Sequence, residues 1–467
     1  MHSNRGGISL KKRSWLKLGS LLLAVAMFTG CGSTASNESA PQTDTPKTET
    51  QTEPAKSDEQ VTLKYYNWDN ETMGATTSSL IQQFEAENPN IKVESIPLVP
   101  GNSTETMKKL DIMISSGDQV DLMLFPNLEE TMARASQGVL ASLDDFYAKD
   151  NINPEEEYYV NPKYQGKSYA AMNQRGLWFI MLNKDMLDAA GLPVPTMGWT
   201  WDDFREYAKK LTKGEGNDKV YGTYFHGWGD YANPILFNER KNPFQKEDLT
   251  PQFDDPSMKY FFELRRTMEK DDKSVKPYAD VIGAKLAYRT EFFNEKAAML
   301  TTGTWMVADT ANIEQYPHKF KTAFAPVPRS SKDAEEGLTS IGGQYISISE
   351  NSKYKDAAYK FIRFVTTNTS DAKKELSGWK KADDKKIIEG TIAAHPELFD
   401  KESLFNALFD PKIKSPGASE VAVAYGSQLK KVLEDGFSQF ILDNTTAEDA
   451  MKTMMEQANK IIKDNTK

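Results

Sequence analysis

The sequence predicts an α/β fold built around more than one core. Three observations carry this. Strand-like and helical segments alternate from residue 61 to residue 125. The chain has 467 residues, too many for one ordinary domain and enough for two sizeable cores. It is 39% hydrophobic and 27% charged with a single cysteine, which suits a soluble protein without a disulfide framework. The formal charge of −10 argues against a phosphate-backbone binder, so no nucleic-acid partner is expected. His2, His226, His318 and His395 are scattered, and no metal or cofactor is expected.

The elements follow in order. Val61–Tyr66 alternates and is rich in β-branched and aromatic residues, so it reads as a strand. Residues 72–88 carry Leu80, Ile81 and Phe84 on one helical face, and Asn88-Pro89 ends that helix. Ile91–Ile96 alternates again, and 103–116 place Met107, Leu110 and Ile114 on one face. Val120–Phe125 is a short apolar strand. Strand, helix, strand, helix, strand implies a parallel sheet with helical crossovers. Ligands of such sheets sit beyond the carboxyl ends of the strands, here Asn67–Asn70 and Pro126-Asn127. Tyr164–Ala171 reads as a hairpin and Leu177–Leu182 as a strand. Thr200 caps a helix over 201–212, and Val220–Phe225 is strand-like before the loop His226–Tyr231. Helices are expected at 256–270 and 290–296, strands at 297–300, 320–325 and 344–348, and helices from 354 to the end.

The N-terminal residues read as an address. Residues 1–30 hold five cations and no acid, so without them the formal charge moves from −10 to −15. The apolar run Leu18–Phe28 is too short for a stable membrane span, which takes ~20 residues. A secretory signal fits better. Phe28-Thr29-Gly30-Cys31 resembles a bacterial lipobox with Phe28 in place of the usual leucine, and marks Cys31 as the lipidation site. Residues 32–59 are Ser, Thr, Pro and acids with no aromatic or large aliphatic residue, the composition of a tether. The boundaries expected are a signal over 1–30, a lipidated tether over 31–59 and a globular body beyond. The location expected is the extracytoplasmic face of a cell membrane, most commonly in a Gram-positive-type bacterium.

Phe292–Met299 followed by Gly303-Thr-Trp305 resembles the F-x-x-G-K-A-A-M…G-x-W signature of family 1 extracellular solute-binding proteins, with Asn294-Glu295 in place of the usual glycine. Phe84–Val93, Leu140–Phe146, Asn183–Asp185 with Gly191-Leu192, Thr200–Phe204, and Gly342-Gly343 with Ala357–Ile362 resemble further blocks of that family in the right order. The resemblance implies a type II periplasmic-binding-protein-like fold. It has two lobes, each a sheet flanked by helices, with ligand in the cleft between them. It places lobe 1 at 60–171 plus 327–376 and lobe 2 at 172–326 plus 377–467. It also implies a carbohydrate ligand, an ABC permease as partner, a monomer, and no catalysis.

A pyranose has an apolar C–H face and a ring of hydroxyls, so its site needs flat aromatics beside directional polar groups. Trp68 and Asp69 lie past a strand end, and Trp228, Asp230 and Tyr231 lie in a glycine-rich loop. Trp305 occupies the position whose counterpart in the resembled family stacks on sugar. Asn127, Asn173 with Arg175, Gly343 and Gln344 fall at strand ends or at the expected lobe crossing. Tyr425 is the nearest match to an aromatic in a late lobe-2 helix of the family. Trp178, Trp199 and Trp201 read as packing residues. A serine-hydrolase elbow, a zinc-protease motif and a P-loop are all absent. Two other readings stay open: a polysaccharide-acting enzyme, because two carboxylates suffice for glycoside hydrolysis, and a receptor for another polyol or a phosphate ester.

Overall fold

The computed structural model describes residues 60–232, 242, 244–369, 371–415 and 423–466, and the side chain of Asp230 lies outside that description. The signal, the tether and Cys31 also lie outside the described residues.

The first five elements form as the alternation predicts: β1 Val61–Asn67, α1 Glu71–Glu87, β2 Ile91–Pro97, α2 Ser103–Ser116 and β3 Leu122–Phe125. β1 pairs in parallel with both β2 and β3. Helix α3, Leu128–Ser136, follows at once. A short hairpin, β4 Lys163–Tyr164 and β5 Lys167–Ser168, leads to the long strand β6, Ala171–Asn183. The remaining strands are β7 Tyr221–Tyr224, β8 Ala297–Gly303, β9 Thr322–Ala325 and β10 Ile341–Ile348.

The strands join into one path, β2-β1-β3-β10-β6-β8-β7, with β9 beside β6. The sheet is mixed rather than wholly parallel. β10 runs antiparallel to β3 and to β6, and β8 runs antiparallel to β6. Parallel pairing was legible only where a crossover helix follows each strand closely. The antiparallel pairs join residues more than a hundred positions apart, which local periodicity does not report.

β6 explains why its sequence is apolar throughout. Successive side chains of a strand point to opposite faces. Trp178, Ile180 and Leu182 enter one apolar cluster, and Leu177, Phe179 and Met181 enter another. Both faces of this strand are therefore covered by helices. A third cluster gathers β1, β2, β3, the β10 residues Tyr345, Ile346 and Ile348, and the helix Lys355–Thr367. The start of β6, Ala171 and Met172, belongs to this third cluster. β6 and β10 thus run from one core into the others, pairing Gly342 with Gly176 and Gly343 with Arg175 midway. Segment 327–340 is bonded on the far side: the Arg329 N–H donates to the Trp199 carbonyl, and the Thr339 hydroxyl donates to the Trp178 carbonyl at 2.8 Å.

One local expectation is adjusted. The helix begun at Pro256 ends at Arg266 and continues as a wider π turn over Thr267–Asp271. Among the described residues no helix is long and apolar enough to cross a membrane.

Candidate functional site

The chain leaves β1 at Asn67 and turns into α1 over three residues. Buried Asn67 fixes that turn: its Oδ1 accepts the Asp69 N–H at 3.0 Å, and its Nδ2 donates to Ser95 Oγ at 2.8 Å. Asn70 caps α1, accepting the Met73 N–H at 3.0 Å. The Asp69 carboxylate is thereby aimed into a pocket of about 40 Å³. Thr72, Thr76 and Thr77 of α1 line one side of this pocket. Asn173 and Gln174 of β6, Gln344 of β10, Ala308, and the run Lys373-Lys374-Glu375 line the rest. That volume holds two or three water molecules and not a pyranose.

The pocket lies between the two sides of the molecule. Thr72 Oγ1 on α1 donates to Gln315 Oε1 at 2.9 Å and accepts from Asn312 Nδ2 at 2.7 Å. Asn312 ends the helix Trp305–Ala311. The same helix contributes Ala308 to the pocket and carries Trp305 one turn earlier.

Three of the sequence candidates, Asp69, Asn173 and Gln344, line this pocket together. Three aromatic candidates meet in a second group. Trp305, Trp228 and Tyr231 assemble with Trp178, His226 and Tyr288. Trp178 stands edge-on to Trp305 at 5.4 Å and to Tyr231 at 5.3 Å. Trp228 stands edge-on to His226 at 4.5 Å and to Tyr288 at 5.6 Å. Burial pushes the His226 pKa down to about 4, with Arg289 acting in the same direction, so this ring is neutral at pH 7. Trp305 lies across two glycines. A Cβ on Gly303 would come within 2.2 Å of its Cζ3 atom, and a Cβ on Gly176 within 3.6 Å. The glycine in the G-x-W motif is there because the indole occupies its side-chain space.

The other candidates sit elsewhere. Trp68 is 6% exposed and packs in the core of β1–β3. Asn127 caps α3, its Oδ1 accepting the Glu130 N–H at 2.9 Å. Gly343 pairs with Arg175, and a Cβ there would meet Met172 Cε at 2.4 Å. Tyr425 is buried among lobe-side aromatics and aliphatics around the helix Gly426–Ile441. Asp230 belongs to the short turn Gly229–Ala232.

Sequence reading missed the charges of the site. Lys373 is 4% exposed, and among the described residues its Nζ donates to Asn173 Oδ1 alone, at 3.4 Å. Burial pushes its pKa down to about 8, against the pull of Glu375. Burial pushes Glu375 up to about 7, with Asp309 acting in the same direction. Burial pushes Asp69 up to about 6, opposed by the Thr77 hydroxyl. A Lys-Lys-Glu run reads as a solvated surface, and only the return of the chain beside β6 buries it. Ser377 bridges to Gln174, and the Arg175 N–H donates to the Leu376 carbonyl at 2.9 Å. Two further cations near the cleft are already paired. Arg175 binds Asp384, and the Arg289 Nε donates to Asp309 Oδ2 at 2.6 Å. Among the described residues no cluster of metal-ligating side chains occurs.

These raised carboxyl pKa values set a pH dependence. In the folded protein Asp69 and Glu375 hold protons that the unfolded chain releases near pH 4. Their burial costs nothing below about pH 4, and the cost is complete above about pH 7, so stability falls with rising pH between those limits. Asp69→Asn is therefore expected to raise the melting temperature at pH 7, by the equivalent of about 2 kcal/mol, and to leave it unchanged near pH 4. Calorimetric scans at both pH values check this; an equal shift at the two would refute it.

A family model described as bacterial extracellular solute-binding protein matches residues 67–372. The sn-glycerol-3-phosphate-binding periplasmic protein of Escherichia coli K12 is 22% identical over 412 residues, covering 84% of this chain and 90% of that protein. An ABC substrate-binding protein from Listeria monocytogenes, solved in complex with cycloalternan, is 26% identical. It superposes with a TM-score of 0.69 over 86% of this chain and 99% of that one. The Mycobacterium tuberculosis protein UgpB, solved with glycerophosphocholine, has a TM-score of 0.68 at 18% identity over 87% of this chain and 99% of that one.

Proposed function

Because the chain belongs to the bacterial extracellular solute-binding protein family, we propose that it captures a sugar or short oligosaccharide between two lobes and delivers it to an ABC permease. One observation carries this reading. The partly buried rings of Trp305 and Trp228, backed by the buried Tyr231, and the polar pocket of Asp69, Asn173 and Gln344 are linked by a single short helix, Trp305–Ala311. Flat apolar rings beside carboxylate and amide groups suit the two kinds of surface that a pyranose presents. Carboxylates accept from hydroxyls in charge-assisted bonds.

The pocket is too small for a sugar as it stands, so capture requires the lobes to part and close again. In this reading the lobes hinge where β6 and β10 pass from one core to the other. The second lobe then extends to about residue 340, because 327–340 is bonded to Trp199 and Trp178. Trp68, Asn127, Asp230, Gly343 and Tyr425 flank the binding groups as supports or outer contacts. Cys31 carries the lipid, and 32–59 tether the body at the extracytoplasmic face. The chain performs no chemistry of its own.

The similarity to glycerol phosphate receptors keeps one other ligand class in view. Titration calorimetry against maltotriose, mannotriose, cycloalternan and D-mannitol is expected to show binding. Binding of peptides or metal ions with no response to any of these would refute the carbohydrate assignment. Release of reducing sugar from a polysaccharide, abolished in Asp69→Asn, would replace it with an enzyme. For the anchor, Cys31→Ser is expected to shift the protein from the membrane fraction to the medium.

A further inference from the structure

We propose that the two lobes shut on each other where Glu129 meets Gly426, that this seam parts to admit the ligand, and that Gly426 is the positioning residue of the closed state. This deepens the solute-binding reading and rests on it.

Two helices from different cores make the seam. α3 is anchored by Leu128, Met132 and Ala135 in the core of β1–β3. The helix Gly426–Ile441 is anchored by Leu429, Leu433 and Phe437 in the core that holds Trp178 and Ile180. The two helices pack against each other, with Glu129 over Gly426. A Cβ on Gly426 would lie 3.0 Å from Glu129 Cγ and 3.4 Å from Glu129 Cβ. Glycine is a poor helix former. Its place as the buried first residue of this helix therefore has the close approach as its reason. The contact also suits the charge of Glu129. Tyr425 gives the helix no side-chain cap, and the helix dipole favours an acidic side chain at this end. Glu130 is bound to Arg134 along α3 itself.

The same helix reaches the aromatic group. About two turns on, Glu434 Oε1 accepts the Gly229 N–H at 3.0 Å, and Gly229 adjoins Trp228. The helix and the Trp228 loop therefore move as one body when the seam parts. Asn127 and Tyr425 stand within two residues of the seam, one on each side of it: Asn127 caps α3, and Tyr425 precedes Gly426. The bonds from Thr72 to Gln315 and Asn312 also join the two sides. Those groups can exchange each other for water at small net cost. The glycine contact is a fit of shape, and a large side chain there has nowhere to go.

The test is a reversible lock. It uses the full chain carrying Cys31→Ser, Glu129→Cys and Gly426→Cys. Disulfides take Cβ separations of about 3.5–4.5 Å, so a slight adjustment lets the two thiols join. Diamide takes up the two hydrogens as the S–S bond forms. The cross-link is expected to form, with a mass loss of two hydrogens, and its failure to form overturns the seam. The oxidised protein is expected to bind maltotriose, mannotriose, cycloalternan and D-mannitol at least 100-fold more weakly by calorimetry than the same protein reduced with dithiothreitol. Equal binding in the two states overturns the requirement that the seam part. Small-angle X-ray scattering reads the parting without a ligand. The reduced protein is expected to show the larger radius of gyration, and equal radii overturn the parting. No response to any of the four compounds by the reduced and the unmodified protein overturns the carbohydrate reading, while scattering and cross-linking still decide the seam. Gly426→Trp is expected to weaken binding about 100-fold, because apparent affinity falls with the fraction that can close, and Gly426→Ala by only about threefold. Unchanged affinity in a folded Gly426→Trp protein, or in Gly426→Leu if the tryptophan variant does not fold, overturns the positioning role.

Discussion

Asp309→Ala is expected to destabilise the protein by about 3–5 kcal/mol, the cost of leaving a buried ionic partner uncompensated. Asp309 is 3% exposed, and the Arg289 side chain that donates to it is 16% exposed. The guanidinium also lies 4.6 Å from the ring centroid of Tyr288. Removing the carboxylate strands a cation between an aromatic wall and the pocket, with water excluded from most of it. The pair joins the helix Tyr288–Phe293 to the helix Trp305–Ala311, so its loss also loosens the element that carries Trp305. Urea or thermal unfolding measures the effect. The double variant Arg289→Met with Asp309→Leu is expected to recover most of the loss, because an apolar pair of similar volume avoids both desolvation costs. A single-variant loss under about 1 kcal/mol would mean that solvent reaches the pair, as it does in exposed ion pairs, and the locking role would fall.

This pair shows where sequence reading stops. The strands and helices of 61–125 were legible from patterns within their own length: alternation in β1 and β2, one apolar face in α1 and α2, and an apolar run in β3. The boundaries of β1, α2 and β2 agree with the periodicity to within a residue. The G-x-W motif was legible through its resemblance to the family signature, whereas Gly176, which the same indole also covers from far along the chain, carried no such mark. Arg289 and Asp309 lie twenty residues apart on different helices, and Lys373 lies two hundred residues from Asn173. Such partners carry no local signal. The same limit explains Trp68 and Asn127. Both stand past strand ends, where ligands gather, yet the first fills the core beneath the turn and the second caps a helix. Position after a strand marks the rim of the site; which side chains point inward depends on the turn, and Asn67 decides that for Asp69.

Trp305→Ala is expected to weaken carbohydrate binding on the order of 100-fold, near 3 kcal/mol, the range of a central aromatic anchor. The prediction rests on the carbohydrate reading and on how the ring is held. Trp178 meets it edge-on at 5.4 Å, and Gly303 and Gly176 leave room for it against β8 and β6. A ring fixed on several sides loses little entropy when it stacks on a sugar. Gly303→Ala tests the geometry without deleting the ring. Its Cβ would fall 2.2 Å from Trp305 Cζ3, so the indole must tilt. An affinity loss of roughly tenfold is expected with Trp305 itself intact, since misplacing a recognition group by about an ångström removes much of its contribution. Calorimetric titration beside melting curves separates the two roles of the residue. If Trp305→Ala lowers the melting temperature and leaves the carbohydrate affinity unchanged, Trp305 only packs its helix against the sheet, and the stacking surface must be sought at Trp228.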